Sequence, residues 1–204
     1  MGVLYQKVED YLDHLATTPD GVFVEIGSDK GDGSTLPLAN MAKTLGQRLI
    51  TVDIEQHIKG KLQYRYPNDP IIDNIDCVCA QGSQWAQEIF PNLKLSVACL
   101  YLDNFDWDYG DSQWGHLIQE QQQEYAKLGY EMTNFNSQLE HLKQMIALLP
   151  YMAESSIIVC DDTYTWNSCW VGKCGAVVPL LQLHGYTIIE KDDSAVMLAR
   201  NLKG

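Results

Sequence analysis

Positively charged side chains are scarce in this chain of 204 residues, in which 14 Lys and Arg stand against 27 Asp and Glu and the net charge is −13. Non-specific binding to nucleic acid needs Lys and Arg against phosphates, and anionic membrane surfaces attract basic segments. We therefore expect no nucleic acid and no membrane partner, although a small patch for one anionic substrate stays compatible with the charge.

Two further patterns are missing from the sequence. None of the six cysteines forms a C-x-x-C pair, so a zinc site is not expected. No apolar run approaches the roughly 18 residues of a membrane span, and the N-terminus has no apolar core of signal-peptide length. These features predict a cytoplasmic protein, with residues 1–204 forming a single domain large enough to bury a core.

The most informative segment is a glycine-rich loop that follows an apolar run. Val22–Ile26 is typical of a buried strand, and Gly27, Gly31 and Gly33 come directly after it. Helical spacing of apolar residues then resumes, at Leu36, Leu38, Met41, Ala42 and Leu45. Strand, glycine loop and helix together form the entry to a nucleotide-type cofactor site.

A second apolar run supports this interpretation. Leu49–Val52 leads into Asp53, which lies 20 residues past Gly33. An acidic side chain at the tip of the next strand is placed to accept hydrogen bonds from ribose hydroxyls. A glycine loop that binds no ligand is the alternative interpretation.

The order and charge of the loop indicate which cofactor it suits. Dinucleotide sites use G-x-G-x-x-G against a pyrophosphate, whereas this loop reads E-x-G-x-x-x-G-x-G from Glu25 and carries Asp29 and Asp32 against Lys30. Negative charge opposes a pyrophosphate and suits S-adenosylmethionine, which has a sulfonium, an ammonium and a ribose. The chain here resembles the class I methyltransferases, in which this first motif is common.

The resemblance covers most of the chain and implies a set of cofactor-binding residues. In that family the residues after the third strand flank the adenine, which corresponds here to the turn that follows the apolar run 75–80. The implied set is Glu25, Gly27, Ser28, Gly31, Gly33, Ser34, Asp53, Ala80, Gln81, Gly82, Ser83 and Asp103.

The remaining elements predict an α/β fold. Apolar runs alternate with helical segments, which is typical of a Rossmann-like, mostly parallel sheet with helices on both faces. Residues 54–72 are polar and are predicted to form a loop, and 172–183 a helix. Runs 186–189 and 195–199 flank a turn and predict an antiparallel C-terminal hairpin.

The segment 104–150 is longer than the single helix that a crossover between two neighbouring parallel strands needs. We expect a helical insertion at about 104–135, followed by a helix that packs on the sheet through Phe135, Leu139, Leu142, Met145, Ile146 and Leu149. The insertion is either a lid or substrate-recognition element, with Trp107, Tyr109 and Trp114 as aromatic surface, or a solvated helical hairpin without a role. A homodimer is a candidate assembly.

Three aspartates follow two strands that are expected to be neighbours. Asp103 ends one apolar run, and Asp161 and Asp162 end the next. Carboxylates suit Mg²⁺, and the pattern is similar to that of divalent-metal O-methyltransferases of the macrolide-sugar and catechol types. In the alternative interpretation Asp103 is a general base or touches the cofactor, while Asp161 or Asp162 caps a following helix.

The chain departs from the family where a catalytic base is often found. Asp-Gly-Asp-His is replaced by the run that begins Asp103-Asn-Phe, so the base is unassigned and Asp103 and His116 are the catalytic candidates.

Four residues are candidates for substrate contact: Trp107, Tyr164, Trp166 and Lys173. Tyr164 and Trp166 either wall the acceptor pocket or shield the end of the sheet. Lys173 either opens a helix whose N-terminus binds a carboxylate or phosphate, or lies on a solvated face.

These features predict transfer of a methyl group from S-adenosylmethionine to a small polar acceptor, most simply a hydroxyl, with Mg²⁺ as a candidate cofactor. Two alternatives are a nicotinamide-dependent oxidoreductase on a similar sheet and a non-catalytic scaffold protein that keeps a cofactor fold.

Overall fold

The structure is a computed structural model that describes residues 4–18, 20–28, 31, 33–108 and 115–202. Five residues discussed above, Asp29, Lys30, Asp32, Tyr109 and Trp114, lie outside the described residues. His116 lies on a described helix, but its side chain is not described.

Within the described residues, the main sheet has seven strands and a separate sheet has two. The main sheet comprises β1 (Gly21–Ile26), β2 (Leu49–Asp53), β3 (Ile75–Cys79), β4 (Ser96–Leu102), β5 (Met152–Cys160), β8 (Thr187–Lys191) and β9 (Val196–Arg200). The small sheet is the hairpin of β6 (Thr163–Trp166) and β7 (Cys169–Gly172). The main order is β3-β2-β1-β4-β5-β9-β8, in which β1 to β5 pair in parallel and β9 runs antiparallel to both neighbours. The predicted sheet with its antiparallel C-terminal hairpin is confirmed.

Helices cover both faces of the main sheet. They are α1 (Leu12–Leu15), α2 (Thr35–Thr44), α3 (Ile58–Arg65), α4 (Gly82–Gln84), α5 (Phe90–Leu93), α6 (Gly115–Lys127), α7 (Asn134–Leu148) and α8 (Val177–Leu183). A π-helical turn, Trp85–Ile89, joins α4 to α5, and 3-10 turns span Leu4–Tyr11, Pro70–Asn74 and Leu149–Tyr151. Within the described ranges, no helix combines the length and apolar character that crossing a membrane requires.

The alternation of side chains along β1 produces two apolar cores. Val22, Val24 and Ile26 point to one face, where they pack with residues of α5, α7 and α8. Phe23 points to the other face, where α2 and α3 contribute their apolar residues. Because successive strand residues face opposite sides, one strand serves both cores.

The prediction of a loop over 54–72 is wrong. Helix α3 follows His57, whose φ is +71°, and a 3-10 turn begins at Pro70, where Asp69 accepts a hydrogen bond from the Ile71 amide. Ile58 and Leu62 are buried one turn apart, and two apolar positions in a polar segment give a weak periodic signal.

The segment 161–172 is also different from the prediction. Asp161 and Asp162 precede the β6–β7 hairpin rather than a helix, and α8 begins only at Val177. Asn167 and Ser168 connect the two strands with φ of +47° and +63°, as a tight two-residue hairpin turn requires. The interpretation of these aspartates as helix caps is therefore wrong.

Trp85 provides a test of the core on one face of the sheet. It is fully buried, with its ring 5.2 Å from that of Phe90 in an edge-to-face arrangement. We expect Trp85→Ala to lower the free energy of unfolding by about 3–5 kcal/mol, because the truncation removes buried area and leaves a cavity. Urea unfolding followed by circular dichroism measures the effect.

Trp166 supplies the matched control, since its side chain is 67% exposed. Trp166→Ala is expected to change the free energy of unfolding by less than about 0.5 kcal/mol. Equal losses in the two variants would contradict the assignment of the core.

Candidate active site

The parallel register aligns the carboxyl ends of the central strands. The hydrogen-bond ladder continues beyond the strands, since the Gly27, Asp103 and Asp161 amides donate to the carbonyls of the neighbouring strands at 2.9, 2.9 and 3.1 Å. The residues that follow β1, β4 and β5 therefore form one row. In open parallel sheets, ligands bind at this edge.

A cleft of about 1500 Å³ opens along this row. Single drug-sized ligands fill about 300–1,000 Å³, so the cleft has room for a cofactor and an acceptor together. The predicted site residues that line it are Gly27, Ser28, Gly33, Ser34, Asp53, Ala80, Gln81, Gly82, Asp103, Asp161, Asp162 and Lys173.

Gly27 lets two chain segments meet at the centre of the row. Its φ is +99°, and a Cβ at this position would overlap the backbone of Asn104. Gly31, with φ of +75°, packs against Leu62 of α3, where a Cβ would lie 2.5 Å from Leu62 Cδ2. Gly33 has open space around its Cα. The three glycines thus have different roles, and Gly33 leaves room for a ligand.

Glu25 lies beneath the glycine loop and is fully buried. Its carboxylate accepts hydrogen bonds from the Ser34, Thr35 and Thr51 hydroxyls at 2.5, 2.8 and 2.6 Å. Burial raises the pKa of Glu25 to about 7, although the three hydroxyl donors oppose this shift. Glu25 therefore fixes the start of α2 and the neighbouring strand, and direct contact with a cofactor stays a prediction.

Asp53 lines the cleft at the end of β2. Its two carboxylate oxygens accept from the backbone amides of Ser28 and Glu55 at 2.8 and 2.9 Å. Asp53 therefore connects the glycine loop to the second strand while its carboxylate faces the cleft.

The turn after β3 is held by α7. The Ser83 amide and hydroxyl donate to the two oxygens of Glu140 at 2.8 and 2.9 Å, while Gln81 caps α4 by accepting from the Gln84 amide. Ser83 is buried and lies outside the lining of the cleft, whereas Glu140 is part of it.

Glu140 and the face of α7 to which it belongs were not found from the sequence. The buried face carries Ser137, Glu140, His141, Gln144, Met145 and Leu148, whereas Phe135 and Ile146 are 72% and 55% exposed. The predicted apolar face of this helix is therefore wrong at those two positions. A signal was present in Glu140 and Gln144, which are spaced one turn apart next to buried apolar residues.

The most unexpected feature of the cleft is the position of Lys173. Its ammonium lies 2.8 Å from Asp103 Oδ1 and 2.9 Å from Asp162 Oδ2, and its side chain is only 4% exposed. Burial alone would lower the pKa of Lys173, but the carboxylates of Asp103 and Asp162 outweigh it and raise the pKa well above the ordinary value.

Lys173 was predicted from the sequence either at the start of a helix or on a solvated face, and both placements are wrong. The residue follows β7 and precedes α8 by several positions, so it does not open a helix, and it is buried rather than solvated.

The arrangement does not support the prediction that Asp103, Asp161 and Asp162 hold Mg²⁺. Lys173 lies between two of the three carboxylates. Among the described residues, no group of three or more His, Cys, Asp and Glu side chains is arranged to hold a metal ion.

Tyr101 bridges Asp161 and Asp103. Its hydroxyl lies 2.5 Å from Asp161 Oδ2 and 3.2 Å from Asp103 Oδ2. Burial and the nearby charge of Asp103 raise the pKa of Asp161 to about 7. Tyr101 was missed in the sequence, although it shares a face of β4 with Asp103 two residues later, as the period of a strand predicts.

The insertion contributes one wall of the cleft through Gln121, Tyr125 and residues 128–131. The ring of Tyr125 packs against that of Phe105 in a tilted arrangement, with 4.6 Å between the ring centroids, and its hydroxyl accepts from the Asp106 amide at 3.0 Å. The insertion is thereby attached to the loop after β4 and lines the cleft, and its role as a lid or substrate-recognition element stays a prediction.

Three of the four predicted substrate residues lie outside the cleft lining. Trp107 is half-buried beyond Asp106, while Tyr164 and Trp166 belong to β6, which leads away from the row of strand ends. Their contact with an acceptor stays a prediction.

Comparison with solved structures identifies proteins that have a similar fold. No family model and no curated protein sequence matches the chain. Solved structures do match: the O-methyltransferase NovP has a TM-score of 0.61 at 10% identity, over 97% of this chain and 79% of that one. TomG from Streptomyces achromogenes, an O-methyltransferase solved with SAM, has a TM-score of 0.57 at 13% identity, over 98% and 82%.

A third match, the O-methyltransferase from Bacillus cereus solved with SAH, has a TM-score of 0.56 at 14% identity, over 98% of this chain and 82% of that one. At such identities the similarity establishes the fold alone. The chain has the Rossmann-like fold of the class I methyltransferases.

The buried carboxyl of Glu25 predicts a pH dependence of stability. With an ordinary pKa of 4.5 and a folded pKa of about 7, the folded state binds more protons than the unfolded state between these values. The contribution of Glu25 is therefore complete below about pH 4.5 and is lost as pH rises through about 7. Relative to Glu25→Gln, which stays neutral, the wild type should lose about 3 kcal/mol of unfolding free energy across this window.

Urea unfolding of both proteins at a series of pH values measures the difference. Glu9→Gln, on an exposed position, is the control and should follow the wild type throughout. A difference between wild type and Glu25→Gln that does not change with pH would contradict the prediction.

Proposed function

We propose that this protein transfers a methyl group from S-adenosylmethionine to a hydroxyl of a small polar acceptor. The observation that carries the proposal is the cleft at the carboxyl ends of β1, β2, β4 and β5, in which acidic side chains lie around an open glycine loop. The solved structures of TomG with SAM and of the Bacillus cereus enzyme with SAH support the same cofactor.

The cofactor would lie across the first three strand ends. Gly27, Ser28, Gly33 and Ser34 would hold the methionine part, and their backbone approaches the cleft without obstruction at Gly33. Asp53 would accept from the ribose hydroxyls, since it faces the cleft while two amides hold its orientation.

The adenine would contact the turn Ala80, Gln81 and Gly82. Ser83 and Glu25, which are buried, would act by positioning the turn and the loop rather than by touching the cofactor. Gly31 would likewise support the loop through its contact with Leu62.

The acceptor would occupy the other half of the cleft, between Asp103, Asp161 and the insertion. The bound cofactor would supply an electrophilic methyl group to the acceptor oxygen, and the hydroxyl proton would pass to a carboxylate of this half of the cleft. Asp161 is the proposed proton acceptor, because it faces the cleft and hydrogen bonds from Tyr101 and the Asp162 amide fix its orientation. The proposal includes no metal step.

Two alternatives remain distinct from this proposal. A nicotinamide-dependent oxidoreductase would place a pyrophosphate against the loop, which the acidic surroundings disfavour. A scaffold protein would keep the cleft without turnover.

We expect isothermal titration to detect binding of S-adenosylmethionine and S-adenosylhomocysteine, and none of NADH. Asp53→Asn should weaken binding of both sulfur ligands by about tenfold or more, because hydrogen bonds to a charged group contribute about 1.5–3 kcal/mol. Asp76→Asn is the matched control: Asp76 lies at the other end of the neighbouring strand and pairs with Arg48. NADH binding, or an unchanged affinity in Asp53→Asn, would contradict the cofactor assignment.

Asp161→Asn should abolish turnover and preserve cofactor binding. We expect its methyl transfer to fall about 10²- to 10⁴-fold, which is the usual contribution of a positioned general base, with affinity for S-adenosylhomocysteine within about twofold of wild type. Transfer of labelled methyl to a panel of small hydroxyl compounds measures turnover, with the exposed Asp193→Asn as control. Wild-type rates in Asp161→Asn would remove this residue from the mechanism, and a wild type inactive on every acceptor would favour a scaffold.

A further inference from the structure

The hairpin of β6 and β7 determines where Lys173 lies. Thr163 pairs with Gly172, and the pairing extends by one position, since the Lys173 amide donates to the Asp162 carbonyl at 2.9 Å. Gly172 has a φ of +90°, and a Cβ there would overlap that carbonyl. The chain therefore returns to Asp162 through a position that only glycine accommodates, and it delivers Lys173 next to it.

The ammonium of Lys173 is surrounded by oxygen atoms of the two aspartates. It contacts Asp103 Oδ1 at 2.8 Å, Asp162 Oδ2 at 2.9 Å and the Asp103 carbonyl at 3.2 Å. An ammonium has three N–H donors, and three oxygen atoms of the chain lie around this one. Its role is therefore to hold the two carboxylates rather than to bind an incoming anion.

Asp161, the third aspartate of the predicted metal site, accepts hydrogen bonds from groups other than Lys173. Asp161 Oδ2 accepts from the Tyr101 hydroxyl at 2.5 Å, and Asp161 Oδ1 accepts from the Asp162 amide at 2.9 Å. Divalent cations require several oxygens at about 2.0–2.6 Å around one centre. A metal ion would have to displace an ammonium that the chain itself holds in place.

We propose that Lys173 is the resident cation of this site and occupies the position between Asp103 and Asp162 that a divalent metal would otherwise take. Lys173 is thus a positioning residue, which compensates the two carboxylates and fixes them beside the acceptor half of the cleft. The role of Lys173 in catalysis rests on the proposed methyl transfer. In that reaction the acceptor proton passes to a carboxylate, and no metal ion is required.

The test is a titration with Mn²⁺ alone, followed by electron paramagnetic resonance, on the full chain without S-adenosylmethionine. The wild type should show no site-bound Mn²⁺. Lys173→Ala leaves the carboxylates without the ammonium, and it should bind one ion with a dissociation constant at least about tenfold below that of any residual Mn²⁺ binding by the wild type. Lys173→Arg keeps a cation and should resemble the wild type. Lys143→Ala removes another lysine of the same cleft and should also leave Mn²⁺ unbound.

A double variant, Lys173→Ala with Asp162→Asn, should lose the Mn²⁺ site that Lys173→Ala gains. Non-specific Mn²⁺ binding to a destabilised protein would not depend on Asp162 in this way. Tight Mn²⁺ binding by the wild type would overturn the proposal. So would a folded Lys173→Ala that binds no more Mn²⁺ than the wild type.

If Lys173→Ala is unfolded in metal-free buffer, refolding in Mn²⁺ is the measurement. Recovery of the folded state with Mn²⁺ supports the proposal, because metal binding then replaces the missing cation, and failure to recover overturns it. Since no cofactor is present, these results are independent of the titration with S-adenosylmethionine, whose failure would instead remove the proposed function.

Discussion

The ion pair of Lys173 with Asp103 and Asp162 is the interaction on which the geometry of the site depends. It joins the ends of β4 and β5 to the residue that leaves the hairpin. Charges removed from water must be compensated, and losing one partner of a buried pair costs about 3–5 kcal/mol. Because each partner ends a different segment, the same contact that compensates the charges also fixes three loops relative to one another.

Glu25 is a buried acid that is stabilised in a different way. Among the described residues, three hydroxyl groups donate hydrogen bonds to Glu25, and burial raises its pKa to about 7. The fold therefore places Glu25, whose pKa is about 7, beneath the glycine loop. Lys173, which stays protonated, lies at the opposite half of the cleft. This division matches the two halves that we assign to cofactor and acceptor.

Much of this arrangement could be predicted from the sequence, and the limits have physical causes. The strands are continuous apolar runs, so the residues that end them, such as Asp53, Asp103 and Asp161, were identified together with their common edge. Lys173 was misjudged because its position depends on a hairpin whose short turn, Asn167 and Ser168, gives little signal. Helix α3 was missed because only Ile58 and Leu62 carry its buried face, and α7 was misjudged because it buries Glu140 and Gln144.

The hairpin also limits how this protein can change during evolution. Side chains alternate across a strand, so one inserted residue turns every later side chain to the opposite face. A single residue inserted within β6 or β7 would thus point the ammonium away from its carboxylates unless a bulge absorbed it. Residues added in pairs at the tip, beyond the exposed Trp166, would preserve the register. The tip is consequently free to diverge in length and sequence, while the base of the hairpin must keep its spacing.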